Sequence, residues 1–111
     1  MGFDAVDVSW RMIREVGPLV GFVRQHDADL ADQVKRAATS VVLNLSEGNR
    51  RQGRDRRHHF NMAAGSAAEA RDGLRLAIAW GHLKEPAAAP ALELLDRQHA
   101  LLWRLTHSRR V

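Results

Sequence analysis

The chain has 111 residues, 27% of them charged, a formal net charge of +4 and no cysteine. This length is typical of one domain, and the lack of cysteine excludes disulfides, thiolate zinc sites and cysteine nucleophiles. The N-terminus lacks the basic start and apolar core of a signal peptide, and no apolar run approaches the ~20 residues of a membrane span, so we expect a cytoplasmic protein without membrane contact.

Helical spacing of apolar residues recurs along the whole chain, whereas alternating strand patterns are missing. The first predicted helix covers about residues 4–25, with a kink or restart at Gly17-Pro18 because proline removes a backbone donor. Its core stripe is Val6, Trp10, Ile13, Val16, Val20 and Val23. A turn at residues 26–29 follows, in which Asp27 or Asp29 can cap the next helix.

The second predicted helix covers about residues 28–47 and ends at Gly48, which is placed as a left-handed cap. Its core stripe is Leu30, Val34, Ala37, Ala38, Val41 and Leu45. The third covers about 55–80 and closes at Gly81, with the stripe Phe60, Ala63, Ala67, Ala70, Leu74 and Ile78. The fourth covers about 87–107 after Pro86, with Leu92, Leu95, His99, Leu102 and Thr106 on one side.

Helix three has a second apolar line, formed by Met62, Leu76 and Trp80, roughly opposite its core stripe. A monomeric bundle gives each helix one inward face, so a second face predicts an interface with another subunit. We therefore expect one all-α domain over residues 1–111, an antiparallel up-down four-helix bundle that assembles into a ring-like homo-oligomer.

Polar side chains follow the apolar stripe of helix two, at Gln33, Ser40, Asn44 and Glu47, and Ser66 and Glu69 make a similar line on helix three. They either form a solvated flank with C-terminal capping or a partly buried hydrogen-bond network between helices or subunits, the interpretation we favour. A catalytic serine is disfavoured because the pattern places no activating histidine beside it.

The loop from Gly48 to Asp55 has the glycine spacing of a phosphate-binding loop. It lacks the Lys-Ser/Thr pair and the preceding strand of that motif, so we interpret Gly48 and Gly53 as helix caps. His58 and His59 are adjacent and point about 100° apart on a helix, so they cannot share a metal. We expect no metal, no cofactor and no enzymatic activity.

Basic residues are concentrated between residues 50 and 59, a segment that carries the whole net charge of the chain. A charged run is usually a solvated helix entry. Here, however, cations gather at a helix N-terminus, where the helix dipole disfavours them, and this invites an anionic partner. Arginine suits phosphate, so we predict a nucleic-acid-binding surface made of Arg50, Arg51, Arg54, Arg56 and Arg57, with Arg36 as a weaker candidate.

The spacing of Gln33, Arg36, Ser40, Asn44 and Glu47 before Gly48 resembles the signature of the small proteins encoded in bacterial 23S rRNA intervening sequences. Phe60, Ser66 and Glu69 then follow in the spacing of that family's second block, so the resemblance covers about residues 30–83. It implies an up-down four-helix bundle and no enzyme. The same fold is used by the accessory protein of diversity-generating retroelements, a homopentamer that binds nucleic acid and a reverse transcriptase.

Two functions remain open at this point. The first is a non-enzymatic module that binds the backbone of RNA or DNA as an oligomer, with a pentamer favoured through the resemblance. The alternative is a protein-interaction scaffold, such as a reverse-transcriptase accessory subunit, in which the arginines meet an acidic protein partner.

Overall fold

A computed structural model describes the backbone of residues 2–107 and the side chains of residues 4–107. It contains four α-helices, α1 (Gly2–Arg24), α2 (Ala28–Asn49), α3 (Gly53–Ala79) and α4 (Glu85–His107), and no strand among residues 2–107. The predicted all-α class is confirmed. Each helix packs on the next one along the chain, and α4 returns to pack on α1, which closes a four-helix bundle.

The core of α2 contains the predicted stripe, since Leu30, Val34, Ala37, Ala38, Val41 and Leu45 are all buried. Asp27 begins this helix by accepting a hydrogen bond from the backbone N–H of Leu30 at 3.0 Å, one of the two caps expected there. In α3 the stripe from Phe60 to Leu74 is buried and Ile78 is half-buried. Gly81 has a φ of 83°, the left-handed conformation expected after this helix.

The predicted core stripe of α1 is wrong at its first positions. Trp10 is 52% exposed and Val6 is half-buried, whereas Ala5, Val8 and Met12 are buried. Apolar residues occur on several sides of this helix, so their spacing alone does not determine its rotation in the bundle. The helix is also continuous through Pro18 and does not restart there.

Gly48 does not end α2 as a left-handed cap, because the helix continues to Asn49 and the positive φ values among the described residues belong to Gly53 and Gly81. Gly48 is buried against Phe60, and a Cβ at this position would lie 2.6 Å from the ring's Cε1. The absence of a side chain at Gly48 therefore permits close packing of α2 on α3 rather than a turn.

Helix α4 buries Gln98 instead of the predicted His99, which is half-buried. The Gln98 amide donates to the carbonyl oxygen of Ala5 in α1 at 3.0 Å, so this polar side chain joins the first and last helices. Within the described part of the chain, no helix is long and apolar enough to cross a membrane.

Candidate nucleic-acid interface

The connection between α2 and α3 consists of residues 50–52 and brings the basic segment to one corner of the bundle. Gln52 is the N-cap of α3 but makes no side-chain capping hydrogen bond, and Gly53 begins the helix with a φ of 61°. Arg54, Arg56 and Arg57 occupy the first turns of α3, where unpaired N–H groups already carry partial positive charge. Positive potential therefore accumulates at this corner.

Two carboxylates neutralise part of the cluster. Glu47 forms ion pairs with Arg50 and Arg51, and Arg51 also pairs with Asp55, with 2.6 Å between Nη1 and Oδ2. The hydrogen bonds from Arg51 and Arg50 hold the pKa of Glu47 below its ordinary value, and those to Asp55 and Glu47 raise the pKa of Arg51. Both arginines thus have local counterions before any partner arrives.

The other arginines of the cluster, Arg54, Arg56 and Arg57, have fewer counterions. Arg54 and Arg57 are exposed, and neither forms an ion pair with any of the described residues. The guanidinium of Arg56 lies over the ring of Phe60, 4.9 Å from its centroid. A depression of about 500 Å³ beside these arginines is lined by Gly53, Arg56, Arg57, Phe60 and Leu105.

Arg36, the weaker candidate, lies apart from this cluster. It is exposed on α2, 14 positions before Arg50, which corresponds to about 20 Å along a helix. It lines a separate depression of about 400 Å³ with Lys35, Thr39, Ser40, Leu43 and Asn44. The structure therefore brings together five of the six predicted arginines.

Ser40, Asn44 and Ser66 form a hydrogen-bond network between α2 and α3. The Asn44 amide donates to the carbonyl and the hydroxyl oxygens of Ser40, each at 3.0 Å, and the Ser66 hydroxyl donates to that of Ser40 at 2.8 Å. Asn44 Oδ1 is left to accept from Nδ1 of His59 at 3.1 Å, which places a proton on that ring nitrogen. From Ser40 to Asn44 the residue number rises along α2, while the residue contacted on α3 changes from Ser66 back to His59.

The remaining residues of the predicted network lie elsewhere. Gln33 and Glu69 are exposed, and Glu47 pairs with arginines. His59 was considered only as a metal ligand, although its place two helical turns before Ser66, on the same side of α3, could have indicated that it belongs to the network. His26 and His82 stack with ring centroids 5.1 Å apart, and no group of residues suited to a metal occurs within the described range.

Trp10, which was predicted to lie in the core, lies instead near this corner. It lines a groove between α1 and α2 together with Asn49 and Arg50, although 40 positions separate it from Arg50. No local sequence signal could have indicated this proximity.

The second apolar line of α3 is exposed to solvent, at 45% for Met62, 50% for Leu76 and 70% for Trp80. Leu43 of α2 is also exposed, at 62%. The second apolar line is therefore a solvent-exposed face of α3.

Fold and corner together define a small all-α protein with four packed helices and a basic connection between the second and third. The chain belongs to the 23S rRNA-intervening sequence protein family, whose model matches residues 4–104. This confirms the resemblance and extends it to α1 and to most of α4.

A solved structure has the same fold, that of a protein of unknown function from the S23 ribosomal protein family of Bacteroides thetaiotaomicron VPI-5482. Its TM-score is 0.83 at 22% sequence identity, with 94% of this chain and 99% of that chain covered. Among curated proteins, none matches this chain.

Proposed function

We propose that this protein is a non-enzymatic, cytoplasmic module that binds the backbone of RNA or DNA through the α2–α3 corner, and that it does so as a homo-oligomer. The observation that carries the proposal is the location of the charge. Residues 50–59 hold the entire net charge of +4, and Arg54 and Arg57 are exposed there without a counterion among the described residues. Phosphates would supply the missing counterions.

The polar network supports a structural role rather than catalysis. The hydroxyl oxygen of Ser40 accepts hydrogen bonds from both Ser66 and Asn44, and Nδ1 of His59 faces Asn44 rather than a hydroxyl group. A serine nucleophile needs a base that accepts its proton, and this geometry does not supply one.

The exposed apolar face on α3 supports self-association, because large apolar surfaces of this kind are usually covered by a partner. The family resemblance favours a ring of five subunits. Short connections and the packing of consecutive helices support the antiparallel up-down arrangement within each subunit. In a ring, each subunit would add one basic corner, so that several weak contacts act together.

The decisive experiment measures the affinity for RNA and for DNA as a function of salt in the parent and in a variant with Arg54, Arg56 and Arg57 replaced by alanine. We expect the variant to keep its helical content, to lose roughly tenfold or more in affinity and to show a flatter salt dependence, because fewer phosphates are neutralised. The protein should show little preference for the sequence of the nucleic acid, because the affinity arises from contacts with the phosphate backbone.

A matched control variant has Arg75, Lys84 and Arg97 replaced by alanine. These basic residues are exposed and lie outside the corner, so the control removes the same amount of positive charge. If both triple variants lose affinity equally, general charge and not the corner drives binding. If the parent binds neither nucleic acid at low salt, the proposal fails. The scaffold function, in which the arginines meet an acidic protein, then takes its place.

A further inference from the structure

A groove between α1 and α2 lies next to the basic corner and has an aromatic side chain in its lining. Its volume is about 270 Å³, and it is lined by Val6, Ser9 and Trp10 of α1, by Val42, Leu45, Ser46 and Asn49 of α2, and by Arg50 just after α2. Trp10 is 52% exposed, although it lies on a helix whose other side is in the core. The fold therefore holds an indole ring beside the first arginine of the cluster.

We propose that this groove binds an unpaired nucleobase, stacked on Trp10, while the adjoining phosphates of the strand contact the arginines of the corner. This inference rests on the proposed function and deepens it, because it specifies a single-stranded segment as the preferred ligand. A base inside a duplex is stacked on both faces and cannot also stack on the indole. The strand must be unpaired at this point.

The chemistry of the groove matches the two parts of a nucleotide. Val6 and Val42 are half-buried and offer apolar surface to the faces of a base. Ser46 and Asn49 are exposed and can exchange hydrogen bonds with its polar edge. Arg50 lies where the groove meets the basic segment, so a base held by Trp10 would have its phosphate within the positive potential of the corner.

Other aromatic residues are less suited to this role. Phe60 belongs to the cluster by sequence but is only 2% exposed, and Arg56 covers its ring. Trp80 lies at the opposite end of α3 from Gly53, about 40 Å away along the helix. Trp103 is as exposed as Trp10, but the ring of His107 stacks on it, with centroids 4.3 Å apart and planes within 8°.

The first test uses the fluorescence of Trp10 in a variant with Trp80→Phe and Trp103→Phe. The probe is an oligouridylate of roughly 12 nucleotides, within the usual site size of single-strand binders. We expect saturable quenching of Trp10 by this strand and weaker binding of an RNA duplex of equal length. The control variant carries Trp10→Phe and Trp80→Phe, so that Trp103 is its single tryptophan. It should bind the strand with little quenching of the Trp103 fluorescence.

The second test replaces Trp10 itself. Trp10→Leu should lower the affinity for the oligouridylate about fivefold or more, the usual effect of losing one base–aromatic stack. The salt dependence should stay unchanged, because no phosphate contact is lost. Trp10→Phe should retain most of the affinity, and Trp103→Leu, at a site of equal exposure, should bind like the parent.

Each outcome separates this inference from the proposed function. If Trp10→Leu binds like the parent and Trp10 is not quenched, while the triple arginine variant loses affinity, the stacking site is wrong and the backbone-binding function stands. If Trp10→Leu loses mass in light scattering together with affinity, Trp10 acts in assembly and the inference is overturned. A parent that binds neither strand nor duplex overturns both.

Discussion

The backbone of Gly48 in α2 lies against the ring of Phe60 in α3, so that a methyl group on Gly48 would be 2.6 Å from Cε1 and 2.7 Å from Cδ1. A second close contact has the glycine on the other helix: a Cβ added to Gly73 in α3 would lie 2.6 Å from Cγ2 of Val34 in α2. Two glycines, one on each helix, thus allow α2 and α3 to pack closely beside the polar network.

Gly48→Ala should therefore destabilise the protein. The buried ring of Phe60 has little room to move, and overpacking of a core costs about 1–3 kcal/mol, more than the roughly 1 kcal/mol that alanine adds to helix propensity. The control is Gly65→Ala in α3, where the added Cβ would have no atom within 4 Å apart from its chain neighbours and the adjacent backbone of its own helix. Urea unfolding should show Gly48→Ala below the parent and Gly65→Ala at or above it; equal shifts would contradict the packing account.

Asn44→Ala should lower the free energy of unfolding by about 1–2 kcal/mol, because it leaves the half-buried Ser40 and His59 without this hydrogen-bond partner. Asn61→Ala is the matched control, since it makes the same change at an exposed helical position of α3. Chemical denaturation of both variants measures the difference. If the hydrogen-bond network did not contribute to the free energy of unfolding, the two variants would be equally stable.

Glu47→Gln should raise the affinity for nucleic acid. The substitution removes the carboxylate that pairs with Arg50 and Arg51, so Arg50 becomes available to phosphate while Arg51 keeps Asp55 as its counterion. We expect a gain of roughly threefold to tenfold at low salt and a salt dependence that is steeper by about one phosphate. Glu69→Gln, which makes the same change in net charge at an exposed site away from the arginines, should have a smaller effect in the same binding assay.

Trp80→Glu should weaken self-association, because a subunit contact over this face would bury an unpaired charge. Light scattering at micromolar concentration should give the parent a mass that is a multiple of 12.4 kDa and the variant a lower one. The control variant Phe22→Glu, at an exposed phenylalanine of α1, should have the same assembled mass as the parent. A parent that is a clean monomer would refute the interface.

Local sequence determined the helical class, the core stripe of α2 and the left-handed glycine after α3. The reason is that apolar spacing, an aspartate cap and a terminal glycine act over one or two turns of the same chain segment. The concentration of the net charge in residues 50–59 was likewise readable without a structure.

Tertiary structure alone decided how the helices are rotated and how closely they approach. Trp10 was placed in the core by its spacing, yet neighbouring helices turn Ala5, Val8 and Met12 inward and leave the indole beside Arg50. Gly48 was assigned to a turn but is required by the ring of Phe60 from another helix. Both outcomes depend on contacts between segments distant in sequence, and periodicity within one helix carries no information about them.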